Sequence, residues 1–186
     1  MAEAAALLFD LDGTLVDTSE ANFRAYRDAL GEVGVTIERE RFERVAFGRN
    51  WRQFLPQFLE QAGSEADPAN VAARKRALYG NHRNAFRYNE QLLALAAAAH
   101  PNQRVALVTA ASADSIDVVL GPARRKLFEV EVTGDDVARH KPAPDAYLLA
   151  ARRLGVAPAS CVAFEDSDIG AASATAAGMT VVRVKI

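Results

Sequence analysis

The chain has 186 residues, half of them hydrophobic and a quarter charged, with a net charge of −2. That suits one globular domain, or a core with a small inserted module, and gives no electrostatic basis for a nucleic-acid or membrane-surface partner. A single cysteine, Cys161, excludes an internal disulfide framework and reads as a small buried apolar residue. Met1 to Leu8 lacks a basic start and a long apolar run, so no signal peptide is expected and the cytoplasm is the default compartment. No stretch approaches the ~20 apolar residues of a membrane helix.

Ala5 to Phe9 is short, apolar and ended by turn residues, which predicts a buried strand. From Ser19 to about Gln91 the apolar residues recur at helical spacing. Examples are Phe23, Tyr26, Ala29 and Leu30, then Phe42, Val45 and Ala46, then Phe54, Leu55, Phe58 and Leu59. Gly31, Gly34, Gly48, Gly63 and Pro68 punctuate them, and no buried strand is expected there. "LLALAAAAH" (92–100) reads as an alanine-rich helix. Strands then alternate with helices: strand 104–109, helix 112–120 capped by Ser112, strand 128–133, helix 143–155 closed by Gly155, strand 161–166, helix 167–178, strand 179–184. This alternation predicts an α/β fold, a Rossmann-like parallel sheet with helices on both faces. Residues 1–15 and 92–186 form that core, and 16–91 are an inserted all-helical module.

Open parallel sheets bind ligands beyond the C-terminal ends of their strands. The unusual polar residues fall there: Asp10 and Asp12 after the first strand, Thr109 after the second, Glu165 and Asp166 after the penultimate. Lys141 lies in the loop before the "APDAYLL" helix. Four converging carboxylates need a cation, and all-oxygen donors suit a hard ion such as Mg²⁺. The three histidines, His82, His100 and His140, are scattered and lack zinc spacing. Thr109 and Lys141 could hold phosphoryl oxygens, with backbone N–H groups of the adjoining turns, as at Ala110, adding donors. An aspartate in such a site can attack phosphorus, and a second carboxylate two residues on can move the proton.

"DLDGTLVDT", the strand-terminal Thr109, "HKPAPD" (140–145) and "FEDSDIGAASATAAGM" (164–179) resemble the four ordered motifs of the haloacid dehalogenase-like hydrolase superfamily. The match spans the whole core and is nearest the subgroup of beta-phosphoglucomutase and small-molecule phosphatases. The resemblance implies Asp10 as nucleophile and metal ligand, and Asp12 as general acid/base with its backbone carbonyl on the metal. It implies Thr109 and Lys141 as the phosphoryl-binding pair, and Asp166 as a metal ligand with Glu165 a direct or water-mediated partner. The insertion then resembles a helical cap, with Arg49 and Arg52 as candidate substrate contacts and a small phosphorylated metabolite as substrate. Mutases of this type carry a cap histidine where Asn22 stands, so a Mg²⁺-dependent phosphatase is expected, with a sugar-phosphate mutase as the alternative. The second aspartate argues against a dehalogenase. Lys75, the one cap lysine, would have to serve as the Schiff-base residue of a phosphonatase. A phosphoacceptor signalling module without turnover is a rival from another class, but there the acidic pair precedes the acceptor, and here the order is reversed.

Overall fold

The computed structural model of the chain describes residues 4–46 and 49–186; the break expected at Gly48 lies outside them. The apolar run Ala6–Phe9 forms strand β1, with all four residues buried. A turn leads to a two-residue strand, β2 (Val16–Asp17). Helices α1 (Ser19–Gly31), α2 (Arg39–Ala46), α3 (Leu55–Gln61) and α4 (Pro68–Tyr79) follow, with a short turn of 3-10 helix at Trp51–Gln53. Strand β3 (Arg87–Tyr88) then pairs antiparallel with β2, placing Val16 opposite Tyr88. The rest of the chain runs α5 (Glu90–Ala99), β4 (Arg104–Val108), α6 (Ala113–Arg125), β5 (Val130–Val132), α7 (Asp145–Leu154), β6 (Cys161–Glu165), α8 (Asp168–Ala176) and β7 (Thr180–Arg183).

The large sheet has the order β5-β4-β1-β6-β7 and is parallel throughout. Its centre is β1, flanked by two strands that are also apolar on both faces. Such strands are stable only when helices cover both sides. On one face Leu7, Phe9, Leu107 and Phe164 join a cluster with α5 and α6. On the other Leu8, Val108 and Ala163 meet Tyr147, Ala150 and Leu154 of α7. Phe9 stacks on Phe164 with ring centroids 4.7 Å apart, a contact worth about 0.5–1.5 kcal/mol beyond its buried area.

Helices α1 to α4 build a separate apolar cluster from Tyr26, Leu30, Phe42, Phe54, Leu55 and Phe58. Ala21, Ala25 and Tyr79 turn the other way and pack with the sheet-side cluster, so apolar packing continues between the two parts.

Three expectations change. β3 is a strand inside the stretch read as purely helical; two residues, one exposed and one half-buried, are too few to show alternation. The strand expected over 128–133 shortens to Val130–Val132. Phe128 packs edge-on to Phe9, and Asp136 takes both the backbone N–H and the hydroxyl of Thr133. The helix expected over 112–120 continues to Arg125 through a break at Gly121 and Pro122.

Candidate active site

Sheet register brings the site together. Phe9 pairs with both Leu107 and Phe164, so Asp10 stands level with the ends of β4 and β6. Its backbone N–H still donates to the Phe164 carbonyl at 3.1 Å, which fixes the carboxylate at the sheet edge. Lys141 reaches the same point from the loop before α7. Its Nζ, 4% exposed, donates to Asp10 Oδ1 at 2.8 Å, Glu165 Oε1 at 2.6 Å and the Val108 carbonyl at 3.1 Å. Burial alone would depress this amine, but Asp10 and Glu165 hold it well above its usual range.

Glu165 is fully buried and its oxygens are engaged. Oε1 also accepts from the Tyr147 hydroxyl at 2.5 Å, and Oε2 from Ser167 at 3.4 Å. Gly170 makes room for it: a Cβ there would fall 2.0 Å from Oε2. Ser167 also caps α8 by accepting from the Gly170 N–H at 3.0 Å.

Asp10, Glu165 and Asp166 each place a carboxylate oxygen within 4.8 Å of the others. Among the described residues, Lys141 is the one cation paired with this group, on Asp10 and Glu165. Burial pushes the Asp10 carboxyl well above the usual range, Glu165 and Asp166 push it further, and Lys141 opposes them. Asp166 is raised to about 6, by burial first and by Glu165 second. Negative charge left over among hard oxygen donors fits a divalent cation. Gly13 shapes the cradle: its φ is +87°, and a Cβ there would lie 2.1 Å from Asp166 Oδ2. Thr14 Oγ1 donates to Asp166 Oδ1 at 3.2 Å.

The Asp12 side chain stands apart from this cluster. Its Oδ1 accepts from Thr18 Oγ1 and, at 3.4 Å, from Asn22 Nδ2, so helix α1 sets its direction. One cleft of about 1150 Å³, partly open to solvent, is lined by Asp10, Asp12, Thr109, Ala110 and Lys141 on the sheet side. Asn22, Tyr26, Lys75, Tyr79 and Arg49 line the helical side. A concave cleft of this kind suits a small molecule.

The segment after Gly48 seats the helices on the sheet edge. Asn50 Nδ2 donates to the Ala110 carbonyl at 3.0 Å, and Gln53 Nε2 to the Lys141 carbonyl at 3.3 Å. Asn50 and Gln53 also cap the 3-10 turn reciprocally. Of the two arginines singled out here, Arg49 lines the cleft. Arg52 instead lies 4.4 Å over the Trp51 ring and 3.6 Å from Asp135. Sequence reasoning missed Tyr147, Ser167, Asn50 and Gln53. The usable signal was a tyrosine hydroxyl on the otherwise apolar face of α7.

The profile of the haloacid dehalogenase-like hydrolases matches residues 4–178. Fructose-1-phosphate phosphatase YqaB of Escherichia coli K12 is 32% identical over 98% of this chain and 97% of its own length. Hexitol phosphatase A of the same organism is 37% identical over 95% of this chain and 81% of its own. The crystal structure of CbbY from Rhodobacter sphaeroides in complex with phosphate superposes with a TM-score of 0.89 at 28% identity. It covers 98% of this chain and 87% of that one. A parallel sheet with a carboxylate triad at its edge, matched across nearly the whole sequence, places the chain in the haloacid dehalogenase-like hydrolase family.

Proposed function

We propose that this chain is a Mg²⁺-dependent phosphatase that cleaves the ester of a small phosphorylated metabolite through an aspartyl-phosphate on Asp10. One observation carries the reading: Asp10, paired with the buried Lys141 ammonium, adjoins Asp166 in the cleft where α1 holds Asp12 apart. This separation supports a division of labour in which Asp10 attacks and Asp12 moves the proton.

An Asp10 oxygen attacks phosphorus, and the bond from phosphorus to the leaving oxygen breaks in line. Asp12 gives its proton to that leaving oxygen. A water then attacks the same phosphorus and passes a proton to Asp12, and the bond from phosphorus to Asp10 breaks. Thr109 and Lys141 bind the phosphoryl oxygens, while Glu165 and Tyr147 hold Lys141 from behind. Asp10, Asp166 and the Asp12 backbone carbonyl would hold Mg²⁺, which when bound offsets the repulsion between Asp10 and the phosphate. Residues 16–91 act as the cap over a core of 1–15 and 92–186, excluding bulk water when seated.

The names of YqaB and hexitol phosphatase A support a sugar or sugar-alcohol phosphate as substrate. Asn22 favours hydrolysis over mutase chemistry, since its amide donates to Asp12 but cannot relay a proton. The buried thiol of Cys161 is compatible with a reducing cytoplasm.

The test is phosphate release from a panel of sugar phosphates with Mg²⁺, with Ca²⁺ and with a chelator, alongside isomerisation with a bisphosphate activator. Hydrolysis that Mg²⁺ supports and Ca²⁺ does not is the expected result. Isomerisation outrunning hydrolysis would establish the mutase, and full activity in chelator would remove the metal from the account.

A further inference from the structure

The loop after β4 is held mostly by its own sheet. The Thr109 N–H donates to the Val132 carbonyl at 2.9 Å, and the Ala111 carbonyl accepts from the Gly134 N–H at 2.9 Å. The Ala110 carbonyl differs, because its partner is the buried Asn50 of the helical segment, 60 residues away. That carbonyl and the Ala111 N–H belong to one planar peptide unit. Asn50 Nδ2 grips the oxygen at 3.0 Å, while the N–H donates to Thr109 Oγ1 at 3.0 Å. Thr109 Oγ1 is thus an acceptor toward the loop, which leaves its own O–H to donate into the cleft it lines. Gly134 keeps the junction open: a Cβ there would fall 2.4 Å from the Ala110 oxygen and 2.5 Å from Asn50 Nδ2. Gln53 does the same for the second loop, donating to the Lys141 carbonyl at 3.3 Å.

We propose that Asn50 and Gln53 are positioning residues for the phosphoryl pocket, fixing from the helical side the main chain of the two loops that carry Thr109 and Lys141. The inference rests on the phosphatase reading and extends its binding machinery. Among the described residues, Arg49 and Trp51 line the cleft but Asn50 and Gln53 do not, so the pair acts through the carbonyls it grips. Donors fixed in advance bind phosphoryl oxygens more tightly, because none has to be reoriented on binding. Phosphate is therefore held at full strength only when the helical segment is seated, and bound phosphate in turn favours the seated state.

The test separates this role from the capping of the 3-10 turn by the same side chains. Asn50 Oδ1 accepts from the Arg52 N–H at 3.1 Å, and Gln53 Oε1 from the Asn50 N–H at 2.9 Å. Asn50→Ser keeps a capping oxygen but is too short for Ala110, and Gln53→Glu keeps Oε1 but loses the donor. With Mg²⁺, the inhibition constant of orthophosphate should rise about two- to tenfold in each, the range of one hydrogen bond. The value of kcat/KM should fall by the same factor for every phosphate ester, since the phosphoryl end is common to all. Gly134→Ala breaks the Asn50 bond from the core side, leaves the capped turn untouched and should reproduce the loss. Orthophosphate that inhibits wild type and all three variants equally overturns this inference and leaves the phosphatase reading standing. Losses that vary from ester to ester while orthophosphate inhibition stays constant also overturn it, by making Asn50 a substrate contact. A wild-type protein that hydrolyses no phosphate ester and binds no orthophosphate in calorimetry overturns both.

Discussion

The two faces of the cleft each carry a buried lysine, and the two are treated in opposite ways. On the sheet face, Lys141 meets two carboxylates and a carbonyl within 3.1 Å and is held well above its usual range. On the helical face, among the described residues, Lys75 meets the rings of Tyr26 and Tyr79 and is in no ion pair, and burial, partly countered by Asp12, brings it down to about 8. The sheet face pairs its lysine within the chain and keeps negative charge to spare for a cation. The helical face leaves its lysine without an ion pair among the described residues. A cation held by paired carboxylates at strand ends is fixed in charge and place, whereas one held by rings alone remains open to titration.

Three substitutions break or sharpen this contrast, in descending order of effect. Lys141→Met strips the counter-charge from Asp10 and Glu165. Breaking a buried pair costs about 3–5 kcal/mol, so a large fall in melting temperature and loss of turnover are expected. A melting curve that does not move would show that the sheet face is not held by this pairing. Gly170→Ala pushes a methyl into Glu165. Overpacking of this kind costs about 1–3 kcal/mol, and turnover should fall with it as Lys141 loses its support. Unchanged stability would show that Glu165 has room to move.

Lys75→Met should do the reverse and stabilise the protein at pH 7, by about 1–2 kcal/mol: the lowered pKa represents roughly 3 kcal/mol, and the lost contacts with Tyr26 and Tyr79 offset part of it. The sign follows from linkage. A lysine with a folded pKa near 8 and an ordinary value of 10.5 binds fewer protons folded than unfolded between those limits. Its penalty is therefore complete below pH 8 and fades as the pH rises to 10.5. Denaturant titrations should show the gain of Lys75→Met shrinking across that window. A gain that is independent of pH would mean that packing, not charge, separates the two proteins.

The sheet face was legible in the sequence and the helical face was not. Asp10, Thr109, Glu165 and Asp166 could be placed because each follows an apolar run, and parallel strands bring their C-terminal ends to one edge. Lys141 was legible through the motif around it. Nothing in the periodicity of α4 says that Lys75 faces Tyr26 and Tyr79 rather than water, since the run "ARKRA" offers three adjacent cations of which one turns inward. Arg52 was read as a substrate contact from its place after Gly48, yet it turns onto Trp51 and Asp135. The bonds from Asn50 to Ala110 and from Gln53 to Lys141 join segments 60 and 88 residues apart, a distance over which no local pattern operates. The β2–β3 pair, two residues long, gave no period to read.

A phosphatase of this design carries phosphate on Asp10 during turnover. The direct measurement is acid quenching in the presence of substrate and Mg²⁺, reduction with borohydride, and peptide mass spectrometry across residues 4–24. The reduced acyl-phosphate product is expected at position 10, dependent on substrate and absent from Asp10→Asn. Modification at Asp12 instead, or continued turnover by Asp10→Asn, would contradict it.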